Sequence, residues 1–256
     1  MKPEEVDQLF DIEGRVAIIT GGSRGIGRSI AHGFAAKGAK VVISSRKADM
    51  CDKVVEEITA DGGDAFAVPG HMGSLDDIQK LVQATVDHYG GIDIVVNNAA
   101  NALAQDFGSI TPEAWEKSFD VNLRGPVFLI QEALPYLKES KHASVINVSS
   151  AGGYLFSAFT HIYAAAKAGL ISYTRSLAAD LAPHGIRVNC MAPGTIDTDM
   201  VRAQTEDRQK SMAAASLLGR AAVPDEIIGL ALFMATEASS FMTGCTINYD
   251  GGLVPR

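Results

Sequence analysis

Short β-branched apolar runs alternate with longer amphipathic stretches along nearly the whole chain, and this alternation limits the fold more than any other feature. Strands are expected at residues 15–20, 40–44, 65–69, 92–97, 144–149, 187–191 and 246–249. Helices are expected at 26–37, 50–60, 75–89, 163–181 and 225–235, with one long helix inside 112–138. Several strand segments are apolar at every position, as in Val16-Ala17-Ile18-Ile19, so both faces of the sheet must be covered. Alternation joined by short connections predicts an α/β chain with a doubly wound parallel sheet. No Pro-, Ser- or Gly-rich linker and no internal repeat divides the 256 residues, so a single domain over 1–252 follows. The segment 195–219 lacks a regular period and is read as a mobile lid or a helical surface excursion.

Composition narrows the partners. With 30 acidic against 22 basic residues the formal net charge is −8, which repels a polyanion, so nucleic acid is not expected. The acidic start, Met1-Lys2-Pro3-Glu4-Glu5, has no apolar h-region, and no uncharged run reaches membrane-spanning length. Cys51, Cys190 and Cys245 have no zinc or disulfide spacing and the histidines are scattered, so no metal site and reduced thiols in a cytoplasmic protein are expected. The last four residues, Leu253-Val254-Pro255-Arg256, match the front of a protease-cleavage linker. They are set apart from the domain as the remnant of an expression tag.

The first strand-to-helix junction reads Thr20-Gly21-Gly22-Ser23-Arg24-Gly25-Ile26-Gly27. Glycines there allow a tight turn and a close approach of backbone to a pyrophosphate, which the helix N-terminus attracts with unpaired N–H groups. A strand before the junction and a βαβ pattern after it supply the context a dinucleotide motif requires. The second strand ends in Ser44-Ser45-Arg46-Lys47. A carboxylate there would bind a ribose 2′-hydroxyl and repel a 2′-phosphate, whereas Arg46, with Arg24 nearby, favours the phosphate. NADP(H) is therefore expected over NAD(H), which stays open.

Tyr163 and Lys167 lie four apart on a helix pattern and share one face. An ammonium beside a phenol favours the phenolate and draws its pKa down towards a range usable for proton exchange. Ser149 and Ser150 end an apolar strand, where ligands bind in a doubly wound sheet, and Ser150 is placed to polarise a reacting carbonyl oxygen. Asn122 sits inside the long helix pattern, where an amide competes with the backbone. Two readings are open for it: a buried amide satisfying a kink, or the anchor of a water that relays protons to Lys167.

Taken together, Thr20-Gly21-x-x-x-Gly25-x-Gly27, Asn97-Asn98-Ala99, Asn122, Ser150, Tyr163-x-x-x-Lys167, Pro193-Gly194 and Asp250-Gly251-Gly252 resemble the short-chain dehydrogenase/reductases, in their compact single-domain branch. The resemblance spans about residues 14–252 and implies a Rossmann fold and hydride transfer between a nicotinamide dinucleotide and a carbonyl or alcohol. It implies Tyr163 as acid or base and Ser150 as the group that orients the substrate oxygen. Lys167 would hold the nicotinamide ribose and depress the tyrosine pKa, and Asn122 would anchor the relay water, with Ser149 structural. The cofactor would meet Gly21, Ser23, Arg24, Gly25, Ile26 and Gly27 at the first loop, then Ser45 and Arg46 at the 2′-phosphate. Asn98 and Ala99 would support it from the central sheet, and Pro193, Gly194, Ile196 and Thr198 would receive the carboxamide.

Two departures from the family pattern stand out. Ala100 follows Asn97-Asn98-Ala99 where a glycine is usual, and Gly70-His71-Met72 replaces an aspartate that contacts adenine. The adenine is then left to backbone groups there, at Met72 among others, or to a neutral imidazole nitrogen. Leu103, Tyr154, Leu155, Phe156, Phe159 and Met200 are the expected walls of an apolar substrate pocket suited to a ketone, aldehyde or 3-oxoacyl group. The resemblance further implies a homotetramer. An NAD-dependent alcohol dehydrogenase is the alternative enzyme, and a catalytically silent nucleotide-binding scaffold the alternative outside catalysis.

Overall fold

A computed structural model describes residues 2–156 and 160–254. Seven strands, β1 (Val16–Thr20), β2 (Lys40–Ser44), β3 (Asp64–Ala67), β4 (Ile94–Asn97), β5 (Ser144–Val148), β6 (Arg187–Pro193) and β7 (Thr246–Tyr249), form one sheet. Its order is β3-β2-β1-β4-β5-β6-β7 and every pairing is parallel. The helices in chain order are α1 (Pro3–Gln8), α2 (Gly25–Ala35), α3 (Ala48–Ala60), α4 (Leu75–Tyr89), α5 (Pro112–Phe119), α6 (Gly125–Glu139), α7 (His161–Leu181), α8 (Asp199–Arg202), α9 (Glu206–Ala214) and α10 (Ile228–Ala235).

The uninterrupted apolar strands divide their residues between two cores. Ala17, Ile19, Val41, Ile43, Ile94 and Val96 face one way and pack with Ile30, Phe34, Ile227 and Met234. Ile18, Val42, Val95 and Val145 face the other way and pack with Ile78, Leu81, Leu129 and Ile130. This is the two-residue alternation of a strand, with both faces dry because helices cover both.

The strand order reverses at β1, whose neighbours are β2 and β4, and such a switch point opens a crevice beyond the strand ends. Two buried asparagines fix the neighbouring register. Asn97 of β4 donates to Asn147 of β5 at 2.9 Å, and Asn147 donates to Thr174 of α7 at 2.9 Å. Buried, satisfied bonds of this kind contribute about 1 kcal/mol each and specify one arrangement.

The expected single helix over 112–138 is instead two helices joined by a π turn at Asp120–Arg124. The 225–235 helix begins as a 3₁₀ turn, Pro224–Ile227, and the excursion 195–219 carries the short helices α8 and α9. Other boundaries differ from the sequence reading by one or two residues, the usual fraying of element ends. Helix α1, which the apolar pattern does not signal because none of its residues is buried, was not expected.

Candidate active site

At the carboxyl ends of the strands lies a cavity of about 1070 Å³. Its floor is the glycine loop, which β1 and β4 hold together. Thr20 Oγ1 donates to the Val96 carbonyl and accepts the N–H groups of Asn98 and Ala99 at 3.0 Å each. Asn98 Nδ2 donates in return to the carbonyls of Thr20 (2.8 Å) and Gly21 (3.2 Å). Gly21 (φ 65°) and Gly25 (φ 54°) adopt left-handed backbone that a side chain would strain. Arg24 stands at the N-cap of α2 in extended backbone with no side-chain cap, so the helix opens on the cavity with its first N–H groups uncapped.

These features fit a dinucleotide. An uncapped helix end behind a glycine loop accepts a pyrophosphate, and the buried Ser44 hydroxyl, also on the cavity wall, has no partner among the described residues. At the end of β2 Ser45 donates to Ser23 Oγ at 2.7 Å, and Arg46 is exposed, its guanidinium making no hydrogen bond or ion pair among the described residues. Arg24 differs: it pairs with Asp199 of α8 at 3.1 Å, so Arg46 rather than Arg24 is the available cation. The His71 ring spends Nδ1 as acceptor for the Gly73 N–H (3.1 Å), which leaves Nε2 to carry hydrogen. An imidazole held this way is a donor, not the acceptor that would replace an aspartate.

The polar centre of the cavity lies between the end of β5 and α7. Ser149 turns inward and donates to the Lys167 carbonyl at 2.9 Å, fixing the helix against the strand. Ser150 turns outward, accepts the Gly152 N–H at 3.1 Å and hydrogen-bonds the Tyr163 hydroxyl. Lys167 is almost fully buried, donates to the Val148 carbonyl at 2.7 Å, and places Nζ 5.7 Å from the Tyr163 ring centroid. Burial pushes the Tyr163 phenol above its ordinary value, and the Ser150 hydrogen bond pulls part of the way back. Burial also lowers Lys167, to about 8, with a small opposing pull from Cys190. The ammonium lies over the ring face, and the Ser150 hydroxyl acts on the phenol from the end of β5.

Residues 21–254 match the family model described as enoyl-(acyl carrier protein) reductase. A 3-oxoacyl-[acyl-carrier-protein] reductase of Synechocystis is 38% identical over 244 residues, covering 94% of this chain and 97% of its own. A short-chain type dehydrogenase/reductase from Mycobacterium marinum superposes with a TM-score of 0.93 at 32% identity, covering 98% and 100% of the two chains. The chain belongs to the short-chain dehydrogenase/reductase family. It is an NAD(P)-dependent oxidoreductase that transfers hydride at CH–OH or C=O groups. A blue fluorescent protein from a metagenomic library, solved with NADPH, also shares this short-chain dehydrogenase fold (TM-score 0.90, 32% identity, 96% and 100% covered).

Within this short-chain dehydrogenase site most of the expected cofactor residues line the cavity. Gly21, Ser23, Arg24, Gly25 and Ile26 do so from the first loop, and Ser45, Arg46 and Met72 from the adenosine side. Asn98, Ala99, Pro193, Gly194, Ile196 and Thr198 complete the wall towards Ser150, Tyr163 and Lys167. Ala100 also lines it, exposed.

Two expected residues are not on the wall. Gly27 packs behind the loop: a Cβ there would lie 2.4 Å from both Asn98 Nδ2 and the Gly21 carbonyl. Asn122 is fully buried in the π turn, and its amide is spent on Ser118 O (2.8 Å) and on Asn101, whose carbonyl it reaches at 2.8 Å and whose N–H it accepts at 3.2 Å. Both Nδ2 hydrogens are spent on carbonyls, and the buried amide ties the π turn to Asn101. Among the substrate walls, Leu155, Phe156 and Met200 line the cavity while Leu103 and Tyr154 do not, and Phe159 lies outside the described residues.

Contacts between segments distant in the chain also support the site. Gly194 lies against Asp250, where a Cβ would approach the Asp250 backbone to 2.8 Å, and Asp250 accepts the N–H groups of Gly252 and Val254 at 2.9 Å each. The terminal Asp-Gly-Gly thus buttresses the carboxamide loop from behind. Leu253, assigned by the sequence to a terminal appendage, lines the cavity, as do Arg208 and Met212 of α9. Among the described residues no group of three ligating side chains could hold a metal ion, and no helix is long and apolar enough to cross a membrane.

Gly27→Ala follows directly from this packing. The methyl group must displace Asn98 or the Gly21 backbone, which costs about 1–3 kcal/mol and moves the loop. A fall in melting temperature of roughly 2–10 °C and at least tenfold weaker dinucleotide binding by calorimetry are expected. A variant with wild-type affinity would show that the loop tolerates the shift.

Proposed function

We propose that this enzyme reduces the carbonyl of a ketone, aldehyde or 3-oxoacyl substrate with NADPH. The observation that carries the reading is the Ser150–Tyr163 pair facing the same cavity as the uncapped α2 terminus and Arg46, which has no partner among the described residues. A nicotinamide dinucleotide bound along that wall supplies the hydride. Ser150 and Tyr163 bind the carbonyl oxygen, and Tyr163 gives up its proton as negative charge develops there. Because burial keeps the phenol protonated at neutral pH, the group is prepared as an acid, which favours reduction over oxidation. Lys167, tied to Val148, positions the tyrosine and presents its ammonium beside the ribose site. Asn122 is a positioning residue that locks the π turn against the loop at Asn101. The 2′-phosphate is received by Arg46 and Lys47, with Ser45 and Ser23 beside them.

The same reading includes a homotetramer in the cytoplasm. It is supported by the open edge of β7, with the buried Thr246 Oγ1 and Asn248 Oδ1 unpartnered among the described residues and Phe241 fully exposed. The three cysteines are unpaired, as in a reducing compartment.

The test is consumption of NADPH and NADH over a panel of ketones, aldehydes, quinones and 3-oxoacyl thioesters. NADPH is expected to exceed NADH in kcat/KM by about tenfold or more, and Arg46→Asp to reverse that order by placing a carboxylate against the phosphate. Equal use of both dinucleotides by the wild type would overturn the NADPH assignment. No turnover on any panel member would favour the silent scaffold.

A further inference from the structure

Helix α9 and the residues that flank it turn one stripe, Gln204, Arg208, Met212 and Ala215, into the cavity. Spacings of four and three residues place Arg208, Met212 and the C-cap Ala215 on a single helical face, and Gln204 joins them from the turn before the helix. Four cations lie between residues 195 and 220, and three of them are neutralised locally. Arg202 pairs with Asp197 at 2.8 Å, Lys210 with Glu206 at 2.7 Å and Arg220 with Glu226 at 2.7 Å. Arg208 makes no hydrogen bond or ion pair among the described residues, and it is the one that faces the cavity. A guanidinium left unpaired on the wall of a substrate site is a binding group for an anion of the substrate.

We infer that Arg208 receives a single carboxylate, so the substrate is an oxo acid with an apolar stretch between its carbonyl and its acid group. Three observations define that chemistry. The cavity that Ser150, Tyr163 and Arg208 share is also lined by Leu155, Met212, Ala215 and Leu253, whose apolar side chains suit a hydrocarbon spacer. Glu206 and Asp207 precede Arg208 on α9, and Asp106 shares with it a small adjoining pocket. One unpaired guanidinium, with Asp106 lining the same small pocket, matches one negative charge and disfavours a phosphate dianion. The planar guanidinium fork matches a carboxylate in two parallel hydrogen bonds, which a neutral ester cannot equal.

This inference rests on the carbonyl-reductase reading, and two measurements separate their failures. The first compares kcat/KM for a medium-chain oxo acid and its methyl ester in wild type, Arg208→Gln and Arg208→Lys. The wild type is expected to prefer the acid by about tenfold, Arg208→Gln to lose that preference, and Arg208→Lys to keep part of it because charge remains without the fork. The second titrates hexanoate and hexanamide calorimetrically into wild type and Arg208→Gln, with and without NADP⁺, and needs no turnover. Hexanoate should bind the wild type about tenfold more tightly than the variant, with hexanamide bound weakly by both. Acid and ester used equally by the wild type, or an acid preference that survives in Arg208→Gln, would overturn the assignment while leaving the reductase intact. Arg208-dependent hexanoate binding without turnover of any carbonyl would sustain the anion site and sink the reductase. Because Arg208 is exposed and makes no bond among the described residues, both variants should melt within a few degrees of wild type.

Discussion

Replacing Tyr163 with phenylalanine is expected to lower carbonyl reduction by about 10²–10⁴-fold while dinucleotide affinity changes less than about threefold. The phenyl ring keeps its place on α7 under the Lys167 ammonium. What disappears is one hydroxyl, and with it the hydrogen bond to Ser150, a loss of about 1 kcal/mol in stability. Ser150 retains the Gly152 N–H, so the oxygen-orienting half of the site survives and substrate KM should move little. A variant with more than a tenth of wild-type turnover would remove Tyr163 from the chemistry. The pH dependence gives an independent reading. A phenol held above its ordinary value remains protonated through neutral pH, so reduction should be sustained there. Oxidation of the corresponding alcohol, which needs the phenolate, should rise into the alkaline range.

How much of this was legible in the sequence depends on the range of the interaction concerned. The strands and most helices could be read because their signals are local: apolar runs such as Val41-Val42-Ile43, or Ser74 capping α4 and Gly90 ending it in left-handed backbone. The cofactor wall was legible because a strand, a glycine turn and a helix start are adjacent in the chain. Contacts across the chain were not. Nothing near Asn97 announces Asn147 fifty residues on, and nothing near Gly194 announces Asp250. Gly27 has the spacing of a cofactor glycine, but its lack of a side chain serves Asn98. Asn122 was singled out by its awkward position, yet nothing near it in the chain announces Asn101 as its partner. Arg208 stayed hidden because α9 has almost no apolar periodicity. Its stripe becomes visible only when the helix is set against the cavity and the neighbouring cations are seen to be paired.

Lys167→Met is the substitution that most sharply separates a residue kept for function from one kept for stability. The lysine is almost completely buried, and its pKa lies near 8 because the charged form is poorly solvated there. In the unfolded chain the same group titrates near 10.5. Between pH 8 and 10.5 the unfolded state therefore binds more protons than the folded state, and stability from this group rises with pH across that window. Below pH 8 both states are charged, and the folded protein bears the whole cost of burying the ammonium, on the order of 3 kcal/mol. Methionine fills a similar volume without that cost, but leaves the Val148 carbonyl without its donor, a loss of about 1–3 kcal/mol. At pH 7 the variant should thus be as stable as wild type or more stable, by up to about 2 kcal/mol. Wild type should recover ground as the pH rises from 8 to 10.5. Turnover should nevertheless fall by at least about 100-fold, since Tyr163 loses the charge beneath which it is held. Denaturant titrations at pH 7 and pH 10 beside steady-state rates test both halves. A variant clearly less stable than wild type at pH 7 would make Lys167 a structural residue. One that kept its turnover would detach it from the proton chemistry.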